Sequence, residues 1–113
     1  MRGQRIQIVI PAKAPRRSGN RVTAARWRRL LESLGHRVAI DVDYHGERCD
    51  VLVALHAHRS AASALRYRRE CPLGRLGVAL SGTDLYRDLD RSPRGHEALD
   101  AADRIVLLQR HAL

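Results

Sequence analysis

Apolar and polar residues alternate between two periods along this chain, and the alternation predicts its elements. Ile6-Gln7-Ile8-Val9-Ile10 is nearly all apolar and β-branched and is bounded by Arg5 and Pro11, the pattern of a parallel strand buried on both faces. Residues 11–20 are rich in Pro, Arg, Ser and Gly and read as a loop, with Asn20 placed to cap the next helix. From Arg21 to Leu34 the apolar positions Ala24, Trp27, Leu30, Leu31 and Leu34 recur at helical spacing. Arg26, Arg28, Arg29 and Glu32 fall mostly on the other side, and Gly35 ends the helix as its C′ residue.

Val38, Ile40 and Val42 alternate with Ala39, Asp41 and Asp43, which predicts a strand nearer the sheet edge. Tyr44 to Asp50 reads as a polar connection, and Val51 to Leu55 as a third, buried strand. A short helix containing Ala61, Ala62, Leu65 and Arg69 follows and is closed by Pro72. Leu76 to Leu80 is the fourth strand, and it stops abruptly at Ser81-Gly82-Thr83-Asp84, with a short helix expected over Leu85–Leu89. Ser92-Pro93 supplies a cap and a first-turn proline for a helix through about Ala102, and Ile105 to Leu108 is the fifth strand, also expected to be buried. Strands alternating with helices imply βαβ units. The expected fold is therefore α/β, a single Rossmann-like domain with a parallel sheet of about five strands and helices on both faces.

Length agrees, since 113 residues suffice for one domain and one core. No apolar run approaches the roughly 18 residues that cross a bilayer, and the start of the chain is too short and strand-like for a signal peptide, so a cytoplasmic protein is expected. The net charge of +9 points toward an acidic partner, yet Lys13 is the only lysine among 21 basic residues. Such arginine bias is what a GC-rich coding sequence gives without selection for binding. The arginines are scattered, aromatics are few, and no recognised nucleic-acid module is present. Cys49 and Cys71 lack a Cys-x-x-Cys spacing, so they read as reduced thiols, packed or idle.

In a parallel sheet three loops share the carboxyl edge, where ligands of open α/β folds bind: Pro11–Arg21, His56–Ser60 and Ser81–Asp84. Gly82 allows close backbone approach, Thr83 offers a hydroxyl, and Asp84 is a carboxylate fit to accept from a sugar hydroxyl or to act as a base; the same residues also make a plain capped turn. His56 fits hydrogen bonding to a hydroxyl or phosphate, or a structural role. Arg21 and Arg59, each at a helix start, fit a bidentate grip on phosphate or a solvated surface. His56 and His58 have no evident third metal ligand. The dinucleotide fingerprint, the P-loop and the Gly-x-Ser-x-Gly nucleophile elbow are all missing.

At these loops the chain resembles a known family. Gly19-Asn20-Arg21-Val22-Thr23-Ala24-Ala25-Arg26-Trp27, Leu34-Gly35-His36-Arg37-Val38, Leu55-His56-Ala57-His58-Arg59-Ser60-Ala61-Ala62, Leu80-Ser81-Gly82-Thr83-Asp84-Leu85-Tyr86-Arg87-Asp88-Leu89 and Ala102-Asp103-Arg104-Ile105-Val106-Leu107-Leu108-Gln109 occur in that order and resemble the start of the selenosugar synthases of selenoneine biosynthesis. Those are GT-B-type glycosyltransferases. The resemblance implies transfer of a sugar from a UDP-sugar, such as UDP-N-acetylglucosamine, to selenophosphate, with no metal or other cofactor. It implies that residues 1–113 are the amino-terminal, acceptor-side half of a GT-B fold, that the carboxyl-terminal donor-binding domain is absent, and that the chain alone is inactive. By position, Asn20, Arg21 and Thr23 would line the first loop toward the donor phosphates or acceptor. His56 and Arg59 would meet the sugar or selenophosphate, and Gly82, Thr83 and Asp84 would complete the cleft floor, with Asp84 and His56 the catalytic candidates. Two other readings stay open: a GT-B enzyme with an ordinary oxygen acceptor, and a basic, non-catalytic adaptor for nucleic acid or an acidic protein.

Overall fold

A computed structural model describes residues 3–10, 19–56, 59–81 and 93–108. The order of elements is β1 (Arg5–Val9), α1 (Gly19–Ser33), β2 (Arg37–Asp41), β3 (Val51–Leu55), α2 (Ala61–Glu70), β4 (Arg75–Ser81), α3 (Pro93–Ala101) and β5 (Arg104–Leu108). The strands form one five-stranded sheet in the order β2-β1-β3-β4-β5, and every neighbouring pair is parallel. The expected Rossmann-like architecture is thus present. The helix expected over Leu85–Leu89 lies outside the described residues.

Each strand of the sheet's centre feeds two cores, because successive side chains point to opposite faces. Ile6, Ile8 and Ile10 join Ala24, Val38, Leu55 and Ala79 on one face, with Trp27 and Leu31 of α1 packed against them. Leu52, Ala54, Leu76, Val78 and Leu80 join Ala61, Ala64 and Tyr67 of α2 and Ala98 of α3 on the other. Helices therefore cover both faces, α1 on one side and α2 with α3 on the other.

Four expectations need correction. Asn20 does not cap α1; the helix begins at Gly19 and includes it, because each residue added to a nucleated helix gains a hydrogen bond. Leu30 and Leu34 carry the helical spacing of core residues but are 58% and 72% exposed, since among the described residues no element packs over that flank of α1. Residues 44–50 are not merely a polar connection. The segment carries the chain from the carboxyl end of β2 back to the start of β3 without a helix, and the Tyr44 ring fills the space a crossover helix would occupy. Its N–H donates to Ser63 Oγ (3.0 Å), its carbonyl accepts from Arg66 Nη1 (3.2 Å), and its ring meets Tyr67 edge-on at 5.3 Å. Finally, β5 is an edge strand with Ile105 50% and Val106 42% exposed, so it is not buried.

Gly35 does end α1 as expected. Its φ of +94° is a left-handed conformation, and the bonds Gly35 N–H to Glu32 O (3.0 Å) and His36 N–H to Leu31 O (3.1 Å) complete a Schellman motif. At the opposite end of the sheet from the candidate site, Arg68 clasps three elements together. Its guanidinium donates to the carbonyls of Ala101 (3.2 Å), Pro72 (3.2 Å) and Gly74 (3.0 Å) and to Asp103 Oδ2 (2.6 Å). That same carboxylate oxygen accepts the Leu76 N–H (2.8 Å), and these donors hold Asp103 below the usual carboxylate range.

Candidate functional site at the carboxyl edge

The chain leaves β1 toward β2 through α1 on one face, and leaves β3 toward β4 through α2 on the other. Where neighbouring strands send their connections to opposite faces, the carboxyl ends part and leave a crevice. Here that point lies between β1 and β3. The first turns of α1 and the turn after β3 border it, and β4 ends beside it at Ser81.

The turn after β3 is closely held. His56 is 5% exposed and adopts a φ of +79°, a left-handed conformation that a residue with a Cβ enters at a cost of about 1–2 kcal/mol. Its N–H still bonds to Ala79 O (3.0 Å), so the residue is the last rung of the β3–β4 ladder and the first of the turn. Its carbonyl accepts the Ser60 N–H (2.9 Å), and Ser60 Oγ donates to Leu55 O (2.7 Å). The Arg59 N–H donates to His56 Nδ1 (3.2 Å). With Nδ1 accepting, the proton of the neutral ring sits on Nε2. A buried imidazole of fixed tautomer and strained backbone is thus built into the crevice, an arrangement associated with functional positions.

The other candidates divide. Arg21 and Thr23 stand half-buried in the first turns of α1, on the same carboxyl edge, and Arg21 already has a partner. Asn20 lies within α1 rather than ahead of it. The Arg59 side chain is exposed beside His56, so the positive charge there faces outward. Gly82, Thr83, Asp84 and His58 lie outside the described residues. Among the described residues no group of three His, Cys, Asp or Glu stands ready to hold a metal ion, and no helix is long and apolar enough to cross a membrane.

Two polar groups near this region escaped the motif reading. Asp41 closes β2 at the carboxyl edge next to β1, its Oδ1 accepting the Val42 N–H (2.8 Å). Gln7 is a buried amide in the middle of β1, and its Nε2 donates to Glu47 Oε2 (3.1 Å). Burial alone would raise the Glu47 pKa, but hydrogen bonds from its own N–H, the His45 N–H and Gln7 outweigh it and hold the group below its ordinary value. The one signal for Gln7 is its place as the sole polar residue within the apolar run Ile6–Ile10.

The two cysteines flank the tyrosine pair on the α2 face. Tyr67 Oη donates to Cys49 O (3.1 Å), while Tyr44 Oη and Cys71 Sγ lie 3.6 Å apart. Burial pushes the Cys49 thiol up to about 11. Cys49 is thus packed and poorly ionised, a structural thiol rather than a nucleophile.

No protein-family model matches this chain, and neither does any curated protein.

Proposed function

We propose that this chain is the acceptor-side domain of a glycosyltransferase of the selenosugar-synthase kind, which transfers a sugar from a UDP-sugar such as UDP-N-acetylglucosamine to selenophosphate. The reading is supported by the ordered motifs of the three edge loops and, on the structural side, by His56. A tautomer-fixed imidazole at the mouth of the crevice, with Arg59 next to it, suits an anionic, hydroxyl-bearing reaction partner better than an apolar one. In the transfer, a selenium lone pair forms the new bond to the anomeric carbon while the bond from that carbon to the diphosphate oxygen breaks, and UDP leaves with the electron pair. His56 would orient the acceptor, Arg21 and Arg59 would offset its charge and that of the leaving diphosphate, and Thr23 and Asn20 would line the loop opposite. Asp84 would stand as the base or as a hydroxyl acceptor on the sugar, with Gly82 and Thr83 beside it.

The test is a titration of the isotope-labelled chain with selenophosphate, with inorganic phosphate and with UDP-N-acetylglucosamine, read from the His56 imidazole and Arg59 amide signals by NMR. Selenophosphate is expected to shift both signals, and His56→Ala to abolish the Arg59 response. Shifts confined to the outward arginines Arg26, Arg28 and Arg29 would refute the site and favour a basic adaptor. Formation of a selenosugar by this chain alone would refute its assignment to the acceptor side only.

A further inference from the structure

The exposed flank of α1 and the open part of the sheet beside it form one surface. Trp27, Leu30 and Leu34 follow each other at steps of three and four residues and so make a single row along the helix. α1 runs antiparallel to the strands it joins, and with a right-handed β1-α1-β2 crossover this row turns away from β2, toward β3, β4 and β5. The packing of Trp27 in the same cluster as Val51 and Val53 of β3 agrees with that direction.

On this face the sheet is only partly covered. Val51 and Val53 are half-buried, Val106 is 42% exposed, and a Cβ placed on Gly77 would meet nothing within 4 Å. Ala79, buried to 1% exposure, closes the groove at the carboxyl end. At the amino end stand two exposed arginines on the same face, Arg75 two residues before Gly77 on β4 and Arg104 in register with Gly77 on β5. Among the described residues the carboxylates beside them are Asp103, which the Arg68 guanidinium engages, and Asp50, whose Oδ2 accepts the Arg5 N–H (2.9 Å).

We propose that this groove is a docking site for an amphipathic helix of a partner protein, lying beside α1 and antiparallel to the strands, with acidic residues in its last turn. Charge decides the occupant. A helix in that direction brings the negative end of its dipole to Arg75 and Arg104, and acidic side chains there complement them. A second copy of this chain is disfavoured, because each copy carries a net charge of +9. The proposal stands apart from the glycosyltransferase reading, since the groove lies on the α1 face and away from the crevice loops.

The probe is a fluorescein-labelled helical peptide of 18 residues, with leucines along one face and glutamates in its last turn, titrated with the chain and followed by anisotropy. Saturable binding that weakens as salt is raised is expected. Gly77→Leu fills the groove without straining the backbone and is expected to weaken binding at least about tenfold, as is the pair Arg75→Glu with Arg104→Glu, while Ala62→Gln, exposed on α2 across the sheet, leaves it unchanged. Leu30→Gln gives a second reading that touches only the exposed helix flank. Equal binding of a scrambled peptide, or an unchanged affinity in both Gly77→Leu and Leu30→Gln, would overturn the proposal. So would a dimer in light scattering that Gly77→Leu converts to monomer, which would make a second copy the occupant.

Discussion

The left-handed His56 offers a direct test of whether the crevice stores backbone strain. Two variants, His56→Ala and His56→Gly, compared with the parent separate the terms. His56→Ala keeps the Cβ and hence the strained φ of +79°, but loses the hydrogen bond from the Arg59 N–H and the buried imidazole contacts. The hydrogen bond alone is worth about 0.5–1.5 kcal/mol. His56→Gly loses the same contacts but also removes the Cβ penalty of about 1–2 kcal/mol. Against that gain stands the greater freedom of glycine in the unfolded chain, which costs about 0.5–1 kcal/mol. The difference leaves His56→Gly more stable than His56→Ala by about 0.5–1 kcal/mol. With a urea slope of about 2 kcal/mol per molar, the midpoint of the glycine variant lies roughly 0.3–0.5 M above that of the alanine variant. Urea unfolding followed by circular dichroism resolves such a gap. A midpoint for His56→Gly equal to or below that of His56→Ala would show that no strain is held there, and the argument for a preorganised imidazole would lose its structural basis.

Further perturbations probe the clasp and the packed thiol. Arg68→Ala removes three bonds to carbonyls and is expected to destabilise by about 2–3 kcal/mol, with Arg68→Lys recovering less than half, because one ammonium cannot span what the fork spans; recovery to the parent's melting temperature by lysine would reduce the clasp to simple charge. The Leu76 N–H and Arg68 lower the Asp103 pKa below 3.8, so its stabilising contribution is whole above that pH and is lost as pH falls through the folded value. Asp103→Asn should therefore flatten the acid limb of a stability-against-pH curve; an identical limb in both proteins would count against the linkage. Cys49, pushed from 9.0 to about 11 by burial, has a thiolate fraction lowered about a hundredfold, partly offset by higher nucleophilicity, so alkylation by iodoacetamide at neutral pH should run about tenfold slower than for an unstructured cysteine. Labelling of Cys49 at the free-cysteine rate, read by mass spectrometry of the native chain, would contradict the packing described.

Much of the fold was legible because its signals are local. The β-branched runs at Ile6–Ile10 and Val51–Leu55 and the helical spacing after Arg21 depend only on side chains near each other in sequence. So does Gly35, whose lack of a Cβ suits it alone to the φ of +94° that ends α1. The candidate site was legible to the same depth: a parallel sheet must bring the loops after β1, β3 and β4 to one edge, and His56 and Arg59 stand there.

Local sequence encodes the alternation of strands and helices, the parallel sheet that follows from it, and the edge that carries the polar loops. Which apolar residues are covered depends on packing between distant parts of the chain. Leu30 and Leu34 have the spacing of Leu31 and Ala24, yet they stand in the open because spacing defines a face of a helix and not the presence of a neighbour. Ile105 and Val106 are as apolar as Val53 and Ala54, but strand order, which local sequence does not encode, puts them at an edge. Tyr44, in a stretch that reads as a polar connection, is core, and His56, a site candidate by its place after a strand, takes a left-handed turn that its position does not predict. Both outcomes depend on contacts across the chain, with Ser63 and Tyr67 in one case and with Ala79 in the other.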